Sequence, residues 1–268
     1  MIARAAFRAT AAEIPGLRKA PGRFAGAAAS PTVLRHADEQ TVVGLVALLR
    51  AAAGLADEPG AFADWSVLAA PRFLGRAMFQ VAFGQFVAEG AWGVSPHLVP
   101  AHSLHSPSGT FSQVLKAHGP NLGIGGTPGG EREALLAAAT WLDMGIAPGV
   151  WLVASGRSDC GNGAVALASP GDYEAVALAL TLAPPTLGGR RPRLLIEPGA
   201  LRLDPSAGTE ADRAEVSAWL GLADPMDDPG PSWRADAGHV AGSDHPPHHL
   251  RPGPIRVERP TTAERDRT

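Results

Sequence analysis

The order of apolar and polar residues predicts both helices and strands over the first two thirds of the chain. Apolar residues recur three and four positions apart in residues 34–53, 73–89 and 131–144, and the last of these has acidic residues in its first turn. A shorter helix is predicted at 108–117. Apolar runs bounded by Gly and Pro predict strands at 66–70, 122–124, 150–154, 163–168 and 175–182, with 122–124 as a short buried strand.

Strands that are apolar on both sides, between amphipathic helices, predict an α/β domain with a largely buried sheet. Residues 1–32 form a weakly patterned N-terminal extension, and residues 33–204 form the folded domain. Prolines interrupt residues 205–268, a Pro/Gly/His-rich tail that we predict to be mostly disordered apart from one short helix at 209–221.

Composition and charge favour a globular protein and exclude several other classes of protein. Hydrophobic residues make up 45% of the 268 positions and charged residues 18%, which is enough to bury a core. The net charge of −3 argues against nucleic-acid binding by bulk electrostatics. A single cysteine, Cys160, excludes a disulfide framework and a cysteine-based zinc cluster within the chain, so the expected compartment is the cytoplasm.

Targeting and membrane signals are weak. No apolar run reaches the roughly 20 residues of a membrane span, so none is predicted. The N-terminus has no apolar core with a cleavage site, although its Ala/Arg bias leaves an organelle transit peptide as an alternative.

A glycine-rich loop, Gly125-Gly126-Thr127-Pro128-Gly129-Gly130, joins the strand at 122–124 to the helix at 131–144. Free backbone N–H groups and a helix N-terminus suit an anion, an oxyanion or an activated nucleophile. The loop lacks the Gly-Lys-Ser/Thr of a phosphate loop and the spacing of a dinucleotide fingerprint. Thr127 and Pro128 fit an N-cap and first helical position, and the glycines could equally serve a close helix–strand crossing.

Residues 34–185 resemble the N-terminal half of β-ketoacyl synthases, of the thiolase-like superfamily. Gly119-Pro120-Asn121-Leu122-Gly123-Ile124 matches the strand before the nucleophile. Ala134-Leu135-Leu136-Ala137 matches the following helix, and Val153-Ala154-Ser155-Gly156 matches the next strand. The strand that opens the family's fold is not evident in residues 1–32.

In this alignment the nucleophilic cysteine of the family falls on Pro128, flanked by Thr127 and Gly129, and none of the three is a thiol. The two catalytic histidines of the family belong to a C-terminal half that has no counterpart in the irregular tail. The resemblance therefore implies a degenerate condensing enzyme, without catalytic residues, cofactor or metal.

The resemblance implies a thiolase-like half with a mixed five-stranded sheet and helices on both faces. It also implies a non-catalytic partner of the chain-length-factor or scaffold kind in fatty-acid or polyketide-type biosynthesis. Its partners would be an active β-ketoacyl synthase and/or an acyl carrier protein, in a homo- or heterodimer formed around residues 118–124. Candidates for an acyl tunnel or oxyanion loop are Gly125, Gly126, Gly129, Gly130, Phe83, Phe86 and Leu122.

Two other functions stay open. An acyltransferase or thioesterase-type enzyme could use the amides of loop 125–130 as an oxyanion hole and Thr127 as nucleophile, although no base is evident. An unrelated α/β nucleotide binder is the third hypothesis.

Rival sites have simpler interpretations. Cys160 is expected to be an incidental loop or buried thiol, with neither it nor Ser158 at the family's nucleophile position. The serines around His105 lack a G-x-S-x-G motif and are expected to cap a helix. The tail histidines, among them His248 and His249, lie beside prolines that prevent helical metal-ligand spacing. The phenylalanines of 73–89 are expected in the core or a subunit interface.

Overall fold

A five-stranded mixed sheet lies at the centre of the protein. The computed structural model describes residues 3–24, 27–55, 58, 60–126, 130–157, 171–182, 194–197 and 200–203. These residues all belong to one compact unit, residues 1–229.

The strands are, in chain order, β1 (Ala3–Ala9), β2 (Arg23–Phe24), β3 (Ala27–Ala28), β4 (Ser66–Pro71), β5 (Asn121–Gly123), β6 (Val150–Arg157), β7 (Tyr173–Leu180), β8 (Leu194–Glu197) and β9 (Ala200–Leu203). The helices are α1 (Ile14–Lys19), α2 (Pro31–Leu34), α3 (Glu39–Ala53), α4 (Arg76–Glu89), α5 (Leu98–His102), α6 (His105–Leu115) and α7 (Gly130–Asp143). A 3-10 turn, Gly90–Gly93, follows α4.

The order of strands in the main sheet is β1-β7-β6-β4-β5. The central pair, β4 and β6, is parallel, and β5 adds to β4 in parallel as an edge strand. β7 runs antiparallel to both β6 and β1. β2–β3 and β8–β9 form separate antiparallel pairs.

Each inner strand buries alternate side chains on opposite faces of the sheet. Trp151 and Val153 of β6 belong to the core under α3 and α6, whereas Leu152 and Ala154 belong to the core under α7. This period-two alternation with apolar residues on both sides is what a sheet covered by helices on both faces requires. The predicted fold class, a mixed five-stranded sheet with helices on both faces, is confirmed.

Most predicted elements lie within a few residues of the observed ones, but the predicted helix 34–53 is divided. Asp38 adopts an extended conformation, and its side chain accepts a hydrogen bond from the Gln40 N–H, so α3 begins only at Glu39. The helix predicted from residue 73 begins at Arg76, because Gly75 is left-handed. The strand predicted at 163–168 and the tail at 205–268 lie outside the described residues.

Residues 1–32 contain a strand that the sequence analysis did not predict. β1 pairs along its whole length with β7, so a boundary at residue 33 divides elements of one sheet. Arg8 pairs with Glu174 at 3.0 Å, and the Arg50 guanidinium lies 4.2 Å from the centre of the Phe7 ring. The Ala/Arg composition of β1 has low strand propensity, so pairing and these contacts decide its conformation.

The strand β5 corrects a second expectation. Residues 122–124 were expected to be a buried strand, yet β5 is an edge strand and Leu122 is 42% exposed. Among the residues that the structure describes, no helix is long and apolar enough to cross a bilayer.

Candidate functional site

Polar side chains collect at the carboxyl ends of β4 and β6, the edge of a parallel sheet where ligands usually bind in α/β proteins. Arg72 follows β4 directly, and Ser155 lies near the end of β6. Gln40 comes from the first turn of α3 and Glu131 from the first turn of α7. The cluster therefore joins both helical layers across the sheet.

Direct contacts connect these four residues. The Arg72 guanidinium pairs with the Glu131 carboxylate at 2.5 Å, and the Glu131 side chain is only 5% exposed. The Gln40 side-chain amide donates to the Arg72 carbonyl oxygen at 2.8 Å. The Arg72 N–H donates to the Ser155 carbonyl oxygen at 2.8 Å, and the Ser155 hydroxyl lies 3.5 Å from the Gln40 amide oxygen. This network fixes the chain where it leaves β4.

The same network reaches the glycine-rich loop. The Phe73 N–H donates to the Gly126 carbonyl oxygen at 3.1 Å, and the Gly126 N–H donates to the Pro71 carbonyl oxygen at 3.2 Å. Gly125 and Gly126 have φ of +98° and +91°, a region that other residues rarely adopt. The loop therefore leaves β5 in a conformation that depends on glycine.

The base of the loop is a close backbone crossing. A Cβ added at Gly130 would lie 2.6 Å from the Gly125 Cα, and one added at Gly125 would lie 2.9 Å from the Gly130 Cα. For Gly125 and Gly130 the expected close approach of backbone at the start of α7 is present. Their role in an oxyanion site stays a prediction.

Backbone strain accumulates next to this crossing. Phe73 has φ of +54°, one of two non-glycine residues with positive φ in the described part of the chain. Such a conformation costs about 1–2 kcal/mol for an L residue and persists only where its surroundings enforce it. Here the bond to Gly126 and the network around Arg72 hold Phe73 on both sides.

A second buried group lies where α3, α4 and α5 meet. The Asp38 carboxylate is buried and accepts a hydrogen bond from the Gln40 N–H at 2.9 Å. His102 of α5 approaches it, with 4.0 Å between Nε2 and Oδ2. Burial, followed by the neighbouring Glu39 carboxylate, raises the pKa of Asp38 from 3.8 to about 6.

The structure does not bring the predicted site residues together. Phe83 and Phe86 lie on α4 with 68% and 53% of their surfaces exposed, and Leu122 lies on the sheet edge. Thus none of the three tunnel candidates is enclosed in the described structure. Several other predicted residues lie outside the described residues: Thr127, Pro128, Gly129, Ser158, Cys160, His248 and His249.

The serines near His105 do not cap the start of α6 as expected, because its N-cap is Leu104, which has no side-chain capping bond, and Ser106 and Ser108 lie inside the helix. The Ser108 hydroxyl is buried and donates to the His105 carbonyl oxygen at 3.0 Å. Within the described residues, no three His, Cys, Asp or Glu side chains are grouped so as to hold a metal ion.

Sequence reasoning missed the residues that form the polar network: Gln40, Arg72, Glu131 and Ser155. Glu131 was noted only as an acid in a helix first turn, where a solvent-exposed position is usual. An Arg close after an apolar strand and a Glu at a helix start were the available signals. Pairing them required the order of the strands.

No protein-family profile matches the chain, and no curated protein matches it. Solved structures do resemble it. A ketosynthase (ApeO) in complex with its chain length factor (ApeC) from Xenorhabdus doucetiae matches at 13% identity and a TM-score of 0.48, over 81% of this chain and 89% of that one.

The ishigamide ketosynthase/chain length factor matches at 16% identity and a TM-score of 0.45, over 66% of this chain and 61% of that one. The structure of a type II polyketide synthase acyl-carrier protein with its ketosynthase, AntDE:AntF, also matches. Its sequence identity is 17% and its TM-score is 0.43, over 55% of this chain and 48% of that one. The chain thus spans about half to three fifths of the length of these two.

These solved structures are the kind of protein that the sequence resemblance names. With TM-scores below 0.5 and identities of 17% or less, the similarities do not place the chain in a family.

Proposed function

We propose that this chain is a non-catalytic partner subunit, of the chain-length-factor or scaffold kind, that works beside an active β-ketoacyl synthase. The process would be polyketide- or fatty-acid-type synthesis on an acyl carrier protein. The main support for the proposal is one residue of the sequence. In the alignment that the resemblance implies, Pro128 stands at the position of the nucleophilic cysteine, and a proline side chain has no group that could accept an acyl chain.

The surface around β5 supports a partner subunit. β5 is the last strand of the sheet, its backbone is bonded to β4 on one side, and Leu122 is exposed on it. An exposed sheet edge with an apolar side chain is a template for pairing with another chain. α4 adds further exposed apolar side chains, including Met78, Val81, Phe83, Phe86 and Val87.

The polar network supports a structural rather than a catalytic loop. The Glu131 Oε1 atom pairs with Arg72, while Oε2 is buried with no hydrogen-bond partner among the described residues, and Gln40 and Ser155 contact the backbone or each other. A nucleophilic mechanism needs a base aimed at the attacking group. In the part of the site that the structure describes, these groups instead hold the two flanks of the loop together.

Co-expression with an active ketosynthase from the same genome tests the proposal. Size-exclusion chromatography should give a stable heteromer, and intact mass after incubation with an acyl carrier thioester should show acyl mass on the ketosynthase alone. Acyl mass on this chain would overturn the non-catalytic role and would direct attention to Thr127, Ser158 and Cys160.

A matched pair of variants locates the interface. Leu122→Glu places a charge on the β5 edge, and we expect it to weaken the heteromer at least tenfold, which corresponds to about 1.4 kcal/mol. Leu136→Glu places the same charge on α7, where Leu136 is 57% exposed, and should leave the heteromer intact. Equal effects from both variants would contradict an interface at β5.

A further inference from the structure

Residues 76–102 form a segment that we call the flap, composed of α4, the 3-10 turn and α5. Most of α4 is exposed, and Ala82 is its one buried side chain among those described. The flap carries an apolar surface but few ionisable groups: Arg76, Glu89, His97 and His102. The contacts that attach the flap to the rest of the protein are therefore expected at its two ends, next to Gly75 and in α5.

One buried carboxylate connects the body to the start of the flap. Asp38 caps α3 by accepting the Gln40 N–H at 2.9 Å, and the N–H of Gly75, the residue before α4, helps to lower the pKa of the same carboxyl group. A Cβ added at Gly75 would lie 2.8 Å from the His102 Cβ and 3.0 Å from the Phe79 ring. The two ends of the flap thus meet beside Asp38.

The same carboxylate faces the end of the flap. His102 has its Nδ1 3.0 Å from the Leu98 carbonyl oxygen, and a carbonyl oxygen can only accept, so Nδ1 carries a hydrogen. The nitrogen that faces Asp38 is therefore Nε2, at 4.0 Å from Oδ2. Attraction between these two atoms needs a proton on one of them, because two bare acceptors repel.

A ring stack holds the other end of α5. His97, at the N-cap of α5, stacks on His36 with 5.4 Å between ring centres and 12° between planes. His36 lies two residues before Asp38 in the chain. Both ends of α5 are therefore attached to the short segment that precedes α3.

We propose that the attachment of the flap to the body is proton-dependent. The flap is held while the Asp38 carboxyl group carries a proton on the side that faces the His102 Nε2, and it loosens when that proton is lost. Acidic conditions then favour the attached flap, and alkaline conditions favour its movement.

The groups around Asp38 determine the pH range over which the flap is expected to loosen. Burial and the adjacent Glu39 carboxylate raise the pKa of Asp38, whereas His102 and the N–H groups of Gln40 and Gly75 lower it, with a net value of about 6. Glu39 itself pairs with Arg18 of α1 at 3.1 Å. Opening exposes Asp38 to water, so loosening should increase as the pH rises toward and beyond 6.

Hydrogen exchange followed by mass spectrometry tests the proposal on the full chain. Protection of peptides from residues 73–102, corrected for the intrinsic exchange rate and divided by that of β6 peptides, should fall about tenfold between pH 5 and pH 7.5. Asp38→Asn, which keeps a capping oxygen without a titratable group, should remove this dependence. A ratio that stays constant with pH in the unmodified chain would overturn the proposal, as would a dependence that persists in Asp38→Asn.

Three further variants separate a proton effect from a merely structural one. Glu39→Gln removes the like charge beside Asp38. It should move the pH at which flap protection is half lost to a lower value, while Glu133→Gln on α7 should not move that pH. His36→Gln removes the ring stack and should leave the pH dependence of flap protection in place. An unmoved midpoint in Glu39→Gln would contradict the proposal even if Asp38→Asn failed to fold.

Discussion

The helices α3 and α4 are nearly equal in length and similar in apolar content, yet their environments are opposite. α3 has 15 residues and buries 12 of them against the sheet and α6, whereas α4 has 14 residues and most of its side chains are exposed. An apolar helix is normally buried or covered by a partner. The comparison shows that α3 supplies the core of this chain, whereas α4 leaves an apolar surface that the proposed partner subunit would cover.

Truncating one large side chain on each helix should give the largest contrast. Leu45 of α3 is fully buried, so Leu45→Ala should lower the free energy of unfolding by about 2–5 kcal/mol. Phe83→Ala on α4 should change it by less than about 0.5 kcal/mol, because the ring is mostly exposed. Urea unfolding at low protein concentration measures both. A large loss in Phe83→Ala would mean that α4 is packed in solution.

The start of α3 carries a titratable cap, Asp38, whereas the start of α4 has Gly75 at its N-cap and no side-chain capping bond. Asp38 caps α3, and its pKa is raised above that of the unfolded chain, so the folded state binds the extra proton between about pH 4 and pH 6. The stability from this group is complete below pH 4 and is lost as the pH rises through 6. Two pKa units correspond to roughly 3 kcal/mol, so Asp38→Asn should gain up to that amount over the unmodified chain at pH 7.5, with little difference at pH 4.

The cap itself can be measured with a second variant at the same residue. Asp38→Ala lacks a side-chain acceptor and should be less stable than Asp38→Asn by about 1 kcal/mol at every pH. Urea unfolding at pH 4, 5.5 and 7.5 separates the two effects. A parallel pH dependence in Asp38→Asn and the unmodified chain would exclude Asp38 as its source.

A glycine in each helix gives the most specific contrast, because the two substitutions are chemically identical. A Cβ at Gly44 of α3 would lie 2.9 Å from the Phe111 ring and 3.1 Å from Val153, so Gly44→Ala should destabilise by about 1–2 kcal/mol. A Cβ at Gly84 of α4 has nothing within 4 Å, so Gly84→Ala should stabilise by up to about 1 kcal/mol through helix propensity. Thermal unfolding should give shifts of opposite sign; shifts of the same sign would contradict the contrast.

Of the candidate site, the sequence predicted the glycine-rich loop but not the side-chain contacts beside it. The glycine-rich loop is visible in the sequence, because few other segments of a folded domain place glycines so densely between a strand and a helix. The pairing of Arg72 with Glu131 was not, since 59 residues separate them and each is unremarkable locally. Charged pairs of this kind depend on which strands are neighbours, and strand order is not a local property.

By itself, the sequence determined the α/β class and the position of most elements. These follow from periodicity and residue identity, which act over a few positions. Only the tertiary structure decided that residues 3–9 join the sheet, that Leu122 lies on its edge and that Asp38 is buried beside His102. Each depends on contacts between residues distant in the chain, and their energies exist only after the sheet has formed.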